Sequence, residues 1–193
     1  MKAEALRIRQ KKHLSKRRLA LIYRTVPNLD ASRIHVAGHV PRENEAAGMR
    51  WNEELGRHTK DEVVTFPVTS PDGRLVTTLD DYVKWITVYR ELKHPRLSKT
   101  SIESMMQPSI PVGSYDWPEE GLDGTASDGF GIATSGSLIM HGGIIVGFRS
   151  SFIYDRADDL LIVIFTNNTT NPFRIAAGLF ELHDRATAAD QPD

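Results

Sequence analysis

The chain is predicted to be an α+β protein: an antiparallel sheet of at least three strands, a C-terminal helix packed on it, and further helices before the sheet. Three observations carry this. Apolar runs at Met140–Phe148, Ser150–Tyr154 and Leu160–Thr166 lie close together, the last two separated by the polar turn Asp155-Arg156-Ala157-Asp158-Asp159, which is the pattern of a hairpin within a meander. Phe173–Leu182 then places Ile175, Ala176, Leu179, Phe180 and Leu182 at helical spacing. Upstream, Tyr82, Val83, Trp85, Ile86, Tyr89 and Leu92 recur every three or four residues, the apolar stripe of an amphipathic helix.

Residues 1–25 suit a basic helix, because Lys2, Arg7, Arg9, Lys11, Lys12, Lys16, Arg17 and Arg18 crowd its first part. Such a run is read as a solvated face or a frayed terminus. Between Val26 and Thr69, Pro27, Pro41 and Pro67 interrupt a polar stretch, which reads as irregular, with short strands around Arg33–Val36 and Val63–Phe66. Pro71-Asp72-Gly73 marks a turn. Thr78 then caps the first strongly periodic helix, with Asp81 expected to reach back to the cap N–H; the helix should run for about fifteen residues before His94-Pro95 ends it. A shorter helix fits Ser98–Gln107, with Ile102, Met105 and Met106 turned inward and Pro108 as its stop. Residues 108–128 read as a loop. A strand is expected at Phe130–Ala133, a turn at Ser135-Gly136-Ser137, then the strand carrying His141. Asn167–Pro172 separates the hairpin from the last helix.

With 193 residues, 40% hydrophobic and 25% charged, the composition is that of an ordinary globular domain. The net charge of −1 gives no pull toward nucleic acid or anionic membrane. The absence of cysteine excludes disulfides, thiolate metal sites and a cysteine nucleophile. Leu19–Tyr23, the longest apolar stretch near the N-terminus, is shorter than the roughly 7–15 residues of a signal-peptide core. No run reaches the ~18–20 residues of a membrane span, so a cytoplasmic chain is expected.

Met140-His141-Gly142-Gly143-Ile144 is the segment of greatest chemical interest. Glycines in a strand let a ligand approach bare main chain, and the histidine adds a polar head beside it. Other candidates are weaker. His35 and His39 have the spacing of two helical metal ligands, but the segment lacks the glutamate of His-Glu-x-x-His and contains Gly38, so both read as surface histidines. Ser135 and Ser137 have neither a lysine nor an acid at useful spacing. Asp116, Glu119, Glu120 and Asp123 read as a solvated acidic loop, and Asn167-Asn168-Thr169-Thr170 holds two glycosylation sequons that matter only on export. No metal and no cofactor are expected.

Six segments in order resemble the serine β-lactamase and penicillin-binding-protein family, in its class C and esterase-like branch. Ala46-Ala47-Gly48-Met49-Arg50-Trp51 resembles Ala-x-Gly-Tyr-Arg-Trp, and Gly73–Tyr82 resembles Gly-Gly-Leu-x-Ser-Thr-x-x-Asp-Tyr/Leu. Leu97-Ser98 through Met105 is similar to that family's Leu-Leu-Ser helix, and Gly129-Phe130-Gly131 to its Tyr-Gly-x-Gly strand. His141-Gly142-Gly143 with Gly147-Phe148 resembles the His-x-Gly form of the third active-site motif; Asp155–Asn167 resembles the closing hairpin.

The resemblance implies a partial β-lactamase/transpeptidase-like fold. It divides the chain into a basic segment at 1–39, poorly ordered or helical, the C-terminal part of a β-lactamase-like domain at 40–186, and a disordered tail at 187–193. It also implies acyl hydrolysis of a β-lactam, a D-amino-acid peptide or a small ester. His141 would touch substrate, Gly142 and Gly143 would leave room for the acyl group, and the Ile144 N–H would be the strand's oxyanion donor.

The family's chemistry also needs Ser-x-x-Lys and a Tyr-x-Asn or Ser-x-Asn group. None of the eight lysines, at 2, 11, 12, 16, 60, 84, 93 and 99, has Ser or Thr three positions earlier. Ser15-Lys16-Arg17-Arg18 has arginine where the lysine belongs, and arginine stays protonated. No Tyr-x-Asn or Ser-x-Asn occurs. The chain therefore resembles the C-terminal portion of the family, without a catalytic nucleophile. The expected partner is a small-molecule substrate or a missing N-terminal half, with no nucleic acid and no membrane. The other expectation is a non-catalytic module that binds a ligand or partner.

Overall fold

The computed structural model describes residues 29–34, 43–61, 75–111 and 126–189. The sequence expectations for residues 1–25, Val63–Phe66, His35, His39 and the acidic loop at 116–123 lie outside them. Within them, the antiparallel sheet has six strands, more than the minimum of three. It comprises β5 (Ile110–Pro111), β6 (Ser127–Asp128), β7 (Ala133–Ser135), β8 (Leu138–Ile145), β9 (Phe148–Asp155) and β10 (Leu160–Thr166), in the spatial order β10-β9-β8-β7-β6-β5. Two small ribbons accompany it: β1 (Arg33–Ile34) with β4 (Leu75–Val76), and β2 (Met49–Asn52) with β3 (Arg57–Lys60).

Helix α1 (Leu79–Glu91) begins where the capping signal places it: Thr78 is extended, and its side chain accepts from the Asp81 N–H. Asp81 itself does not reach back to the cap. Its carboxylate accepts from the Ala31 N–H at 2.9 Å, the Ser32 hydroxyl at 2.8 Å and Lys84 Nζ at 3.3 Å. The acid thus ties the chain before β1 to the start of α1. Leu29 is buried with Ile86, Val88 and Tyr89, so residues 29–34 belong to the folded body, on the near side of the boundary expected after residue 39. The helix stops at Leu92, which takes a left-handed φ of 52°, three residues before Pro95. Helix α2 (Lys99–Met105) is capped by Ser98 through the Ser101 N–H.

Helix α3 (Pro172–Ala189) runs past the expected end at Leu182 and through the first residues of the tail expected to be disordered. Ala186-Thr187-Ala188-Ala189 is mostly strong helix former, and the Thr187 hydroxyl bonds back to the His183 carbonyl at 3.1 Å. The β2–β3 hairpin lies in the stretch expected to be irregular: Asn52 Oδ1 accepts from the Leu55 N–H, and Gly56 has φ 57°, so a glycine-closed turn forms within a run of no apolar alternation. The strand expected at Phe130–Ala133 starts only at Ala133, because Gly131 takes φ 81° and bends residues 129–132 into a turn.

Alternation along the strands sorts side chains onto two faces. Ile139, Phe152 and Tyr154 pack with Ile86, Tyr89 and Ile102 on the side of α1 and α2. Met140, Ile153 and Ile162 pack with Ala176 under α3. Ile139, Met140 and Ile102 are fully buried, each such side chain contributing about 1.5–3 kcal/mol of transfer free energy. Ile139 and Met140 thus bury the first half of β8 toward opposite faces of the sheet.

Candidate functional site

His141, Gly142, Gly143 and Ile144 occupy the second half of β8, next to the two-residue turn at Val146-Gly147. On one side β8 pairs with β9 along its whole length, Gly142 opposite Ser151 and Gly143 opposite Ser150. On the other side its pairing with β7 ends at Ala133–Met140. Beyond Met140 that edge has no strand partner among the described residues.

The hydrogen-bond phase identifies the groups left free. The Arg156 N–H donates to the Ser137 carbonyl at 3.2 Å, across the β9 side. Antiparallel ladders alternate, so the main-chain groups of Ile139, His141, Gly143 and Ile145 face β9. Those of Leu138, Met140, Gly142 and Ile144 face the other way. Leu138 and Met140 are opposite Ser135 and Ala133 of β7, whereas Gly142 and Ile144 point their N–H and C=O groups at the open edge. The four consecutive residues thus divide: Gly142 and Ile144 offer backbone, and His141 offers a side chain.

Both glycines of the strand sit close against neighbouring side chains. A Cβ at Gly142 would stand 2.6 Å from the Phe173 ring, and one at Gly143 would stand 2.6 Å from Ser150 Oγ. Gly147 has φ 71°, and a Cβ there would lie 2.6 Å from the Gly48 Cα. Through this close approach the Met49 N–H reaches the carbonyls of Gly147 at 3.3 Å and Asn167 at 2.8 Å, seating the β2–β3 hairpin at the same end of the sheet as His141.

His141 keeps its ring accessible to solvent while protein crowds it, and the desolvation pushes its pKa below the usual imidazole value of 6.5; the charge of Asp128 opposes that shift. The ring is therefore biased toward its neutral form, able to donate from one nitrogen and accept at the other. Asp128 was not singled out from sequence, where it sat at the end of a presumed loop; its strand pairing places it near the histidine.

Ser135 lies at the opposite end of β8 from Ile144, and Ser137 precedes β8 in the same turn, so neither shares the His141 edge. Asn167 Nδ2 donates to the Ala47 carbonyl, outside the turn after β10, and Asn168 Oδ1 accepts from the Thr170 N–H within it. Among the described residues no group of three or more His, Cys, Asp or Glu is placed to hold a metal ion. No described helix is long and apolar enough to cross a membrane.

A sheet with helices on both faces and a glycine-rich strand whose second half has no strand partner on one side among the described residues defines an α+β fold. The Beta-lactamase family model matches residues 19–184, and the chain belongs to that family. The fold is similar to that of the octameric penicillin-binding protein homologue from Pyrococcus abyssi, at 20% identity and a TM-score of 0.64, over 81% of this chain and 34% of that one. It is likewise similar to the penicillin binding protein from Bacillus halodurans, at 16% identity and a TM-score of 0.66, over 84% of this chain and 47% of that one. The chain thus spans between a third and a half of those proteins. No curated protein matches it.

Proposed function

We propose that this chain supplies the third-motif wall of a serine acyl-hydrolase site and that, acting alone, it binds an acyl ligand without cleaving it. The free edge of β8 is the observation that supports this. The Ile144 N–H is a fixed donor for a carbonyl oxygen, and its partner carbonyl and those of Gly142 can take a ligand N–H, so an amide or ester lies along the strand. His141 sits beside that line as a mainly neutral hydrogen-bonding group. Its expected ligands are a β-lactam, a D-amino-acid peptide or a small ester. No Ser-x-x-Lys occurs in this sequence, which supports a reading in which turnover draws its nucleophile from residues outside it; the second reading is a non-catalytic module that binds a ligand or partner.

The purified chain should hydrolyse neither a chromogenic β-lactam nor a p-nitrophenyl ester above the buffer rate. Turnover that a serine-directed phosphonate abolishes would overturn the proposal, because it would place a nucleophile within this sequence. Binding should shift the amide resonances of Gly142 and Ile144 and leave those of Ile139 unmoved.

A further inference from the structure

Phe130 stands out among the residues that the site chemistry leaves unused. It is 67% exposed, yet the turn that carries it is fixed at both ends. The Gly129 N–H donates to the Ile132 carbonyl at 2.9 Å, and the Phe130 N–H donates to the Met105 carbonyl at the end of α2 at 3.0 Å. Gly129 is jammed against that helix end: a Cβ there would meet Met105 O at 2.3 Å. On its other side Gly131, with φ 81°, has nothing within 4 Å of where a Cβ would be. A large apolar ring is therefore carried, mostly exposed, on an anchored turn.

The register places that turn beside the β8 edge. Ala133 lies opposite Met140, so continuing β7 backward would set Ile132, Gly131 and Phe130 level with His141, Gly142 and Gly143. The positive φ at Gly131 takes the chain out of the sheet there, which is what frees the edge. Three residues span at most about 10 Å, so Phe130 remains within that reach of the strand end it has left. Ile144, 77% exposed, is the second large apolar side chain on the edge. Single exposed apolar residues are ordinary on a protein surface. Two near main-chain N–H and C=O groups that have no strand partner among the described residues suit one kind of occupant: an extended, peptide-like ligand with an apolar side chain next to the bonded amide.

We infer that Phe130 is a specificity-determining residue of this edge, packing against the apolar side chain or acyl group of an extended amide ligand bound along Gly142 and Ile144. The inference rests on the proposed binding role of β8. Its test uses the full chain labelled with 15N and three probes: N-acetyl-glycine methylamide, N-acetyl-leucine methylamide and N-acetyl-phenylalanine methylamide. The leucine and phenylalanine probes should bind roughly tenfold more tightly than the glycine probe, as burial of an apolar side chain requires. Phe130→Ala, at an exposed position, should fold normally, erase that preference, and leave the glycine probe's shifts at Gly142 and Ile144 intact. Glu181→Ala, at an exposed position on α3, serves as a control that keeps the preference. A preference that survives in Phe130→Ala overturns the role of Phe130 while sparing the edge. If no probe moves the Gly142 and Ile144 amides, the binding role of the edge is itself wrong, and the role of Phe130 falls with it.

Discussion

Two buried polar side chains make opposite demands on the core. Asp81 is 4% exposed and Ser151 is 2% exposed. Burial alone would raise the Asp81 carboxyl, but hydrogen bonds from Ser32, Lys84 and the Ala31 N–H more than offset it and hold its pKa below the ordinary 3.8. A carboxylate with a depressed folded pKa stabilises the fold above its unfolded value, and that contribution is lost as pH falls through 3.8 toward the folded pKa. Asp81→Ala should therefore cost roughly 3 kcal/mol at neutral pH, the scale for several charge-assisted bonds lost together. In urea titrations the gap between wild type and variant should be constant above about pH 5 and close below about pH 4; a gap that does not depend on pH would show that the carboxylate's charge is not what anchors Ala31 and Ser32. Ser151 is the reverse case. Its hydroxyl is buried without a hydrogen-bond partner, between Gly142 on β8 and Ile164 on β10. Ser151→Ala should leave stability unchanged or raise it by about 1 kcal/mol, since an unmade bond is removed. A clear loss in thermal unfolding would mean that the hydroxyl has a bound partner, such as an ordered water.

At the scale of elements, the glycine-closed turn at Val146-Gly147 does more than join β8 to β9. Its glycine has a left-handed φ of 71° and meets the Gly48 main chain at a distance no Cβ tolerates. Gly147→Ala combines a backbone penalty of about 1–2 kcal/mol with displacement of the Gly48 segment. It should lower the urea midpoint and also weaken any ligand binding at Ile144, because the β2–β3 hairpin and the end of β8 share this contact. A variant that loses stability yet keeps binding would separate the two. Elements with strong periodicity or caps were legible in the sequence: α1 from Thr78, α2 from Ser98 and the Leu160–Thr166 strand. Those set by one glycine or by long-range packing were not. β7 starts late because Gly131 turns the chain, and β5 and β6 are two-residue bridges whose composition carries no alternation. Likewise, the glycine-rich run His141-Gly142-Gly143-Ile144 was legible in the sequence as one strand, which the structure has as part of β8, whereas the placement of Asp128 and Phe130 depends on register across strands, which local sequence does not encode.

Apart from the two-residue strand β5, the sheet lacks a strand neighbour on one side in two places among the described residues: along β10 and on β8 beyond Met140. The same phase that frees Gly142 and Ile144 propagates through β9: with its even-numbered residues bonded to β8, its odd-numbered residues bond β10. Leu160, Ile162, Ile164 and Thr166 then face β9, and Leu161, Val163 and Phe165 direct their N–H groups outward. The Asn167 carbonyl, next in the outward series, accepts from the Met49 N–H, which agrees with that phase. β10 is uncharged along its length, so its outer edge has none of the charges or prolines that commonly keep edge strands apart. Hydrogen exchange on the full chain should therefore show alternating protection. Ile162 and Ile164 should be slow and Leu161, Val163 and Phe165 fast, while on β8 Gly143 and Ile145 should be slow and Gly142 and Ile144 fast. The comparison is internal to each strand, so helix cover and overall stability cancel. Uniform protection along β10 at every protein concentration would mean that a strand from elsewhere in the chain lies on that edge; protection that appears only as concentration rises would identify a second copy there. Uniform protection at Gly142 and Ile144 in the ligand-free chain would close the β8 edge and remove the site. Fast exchange at these two amides that slows when an N-acetyl methylamide is added is the outcome that joins the sheet's geometry to its proposed use.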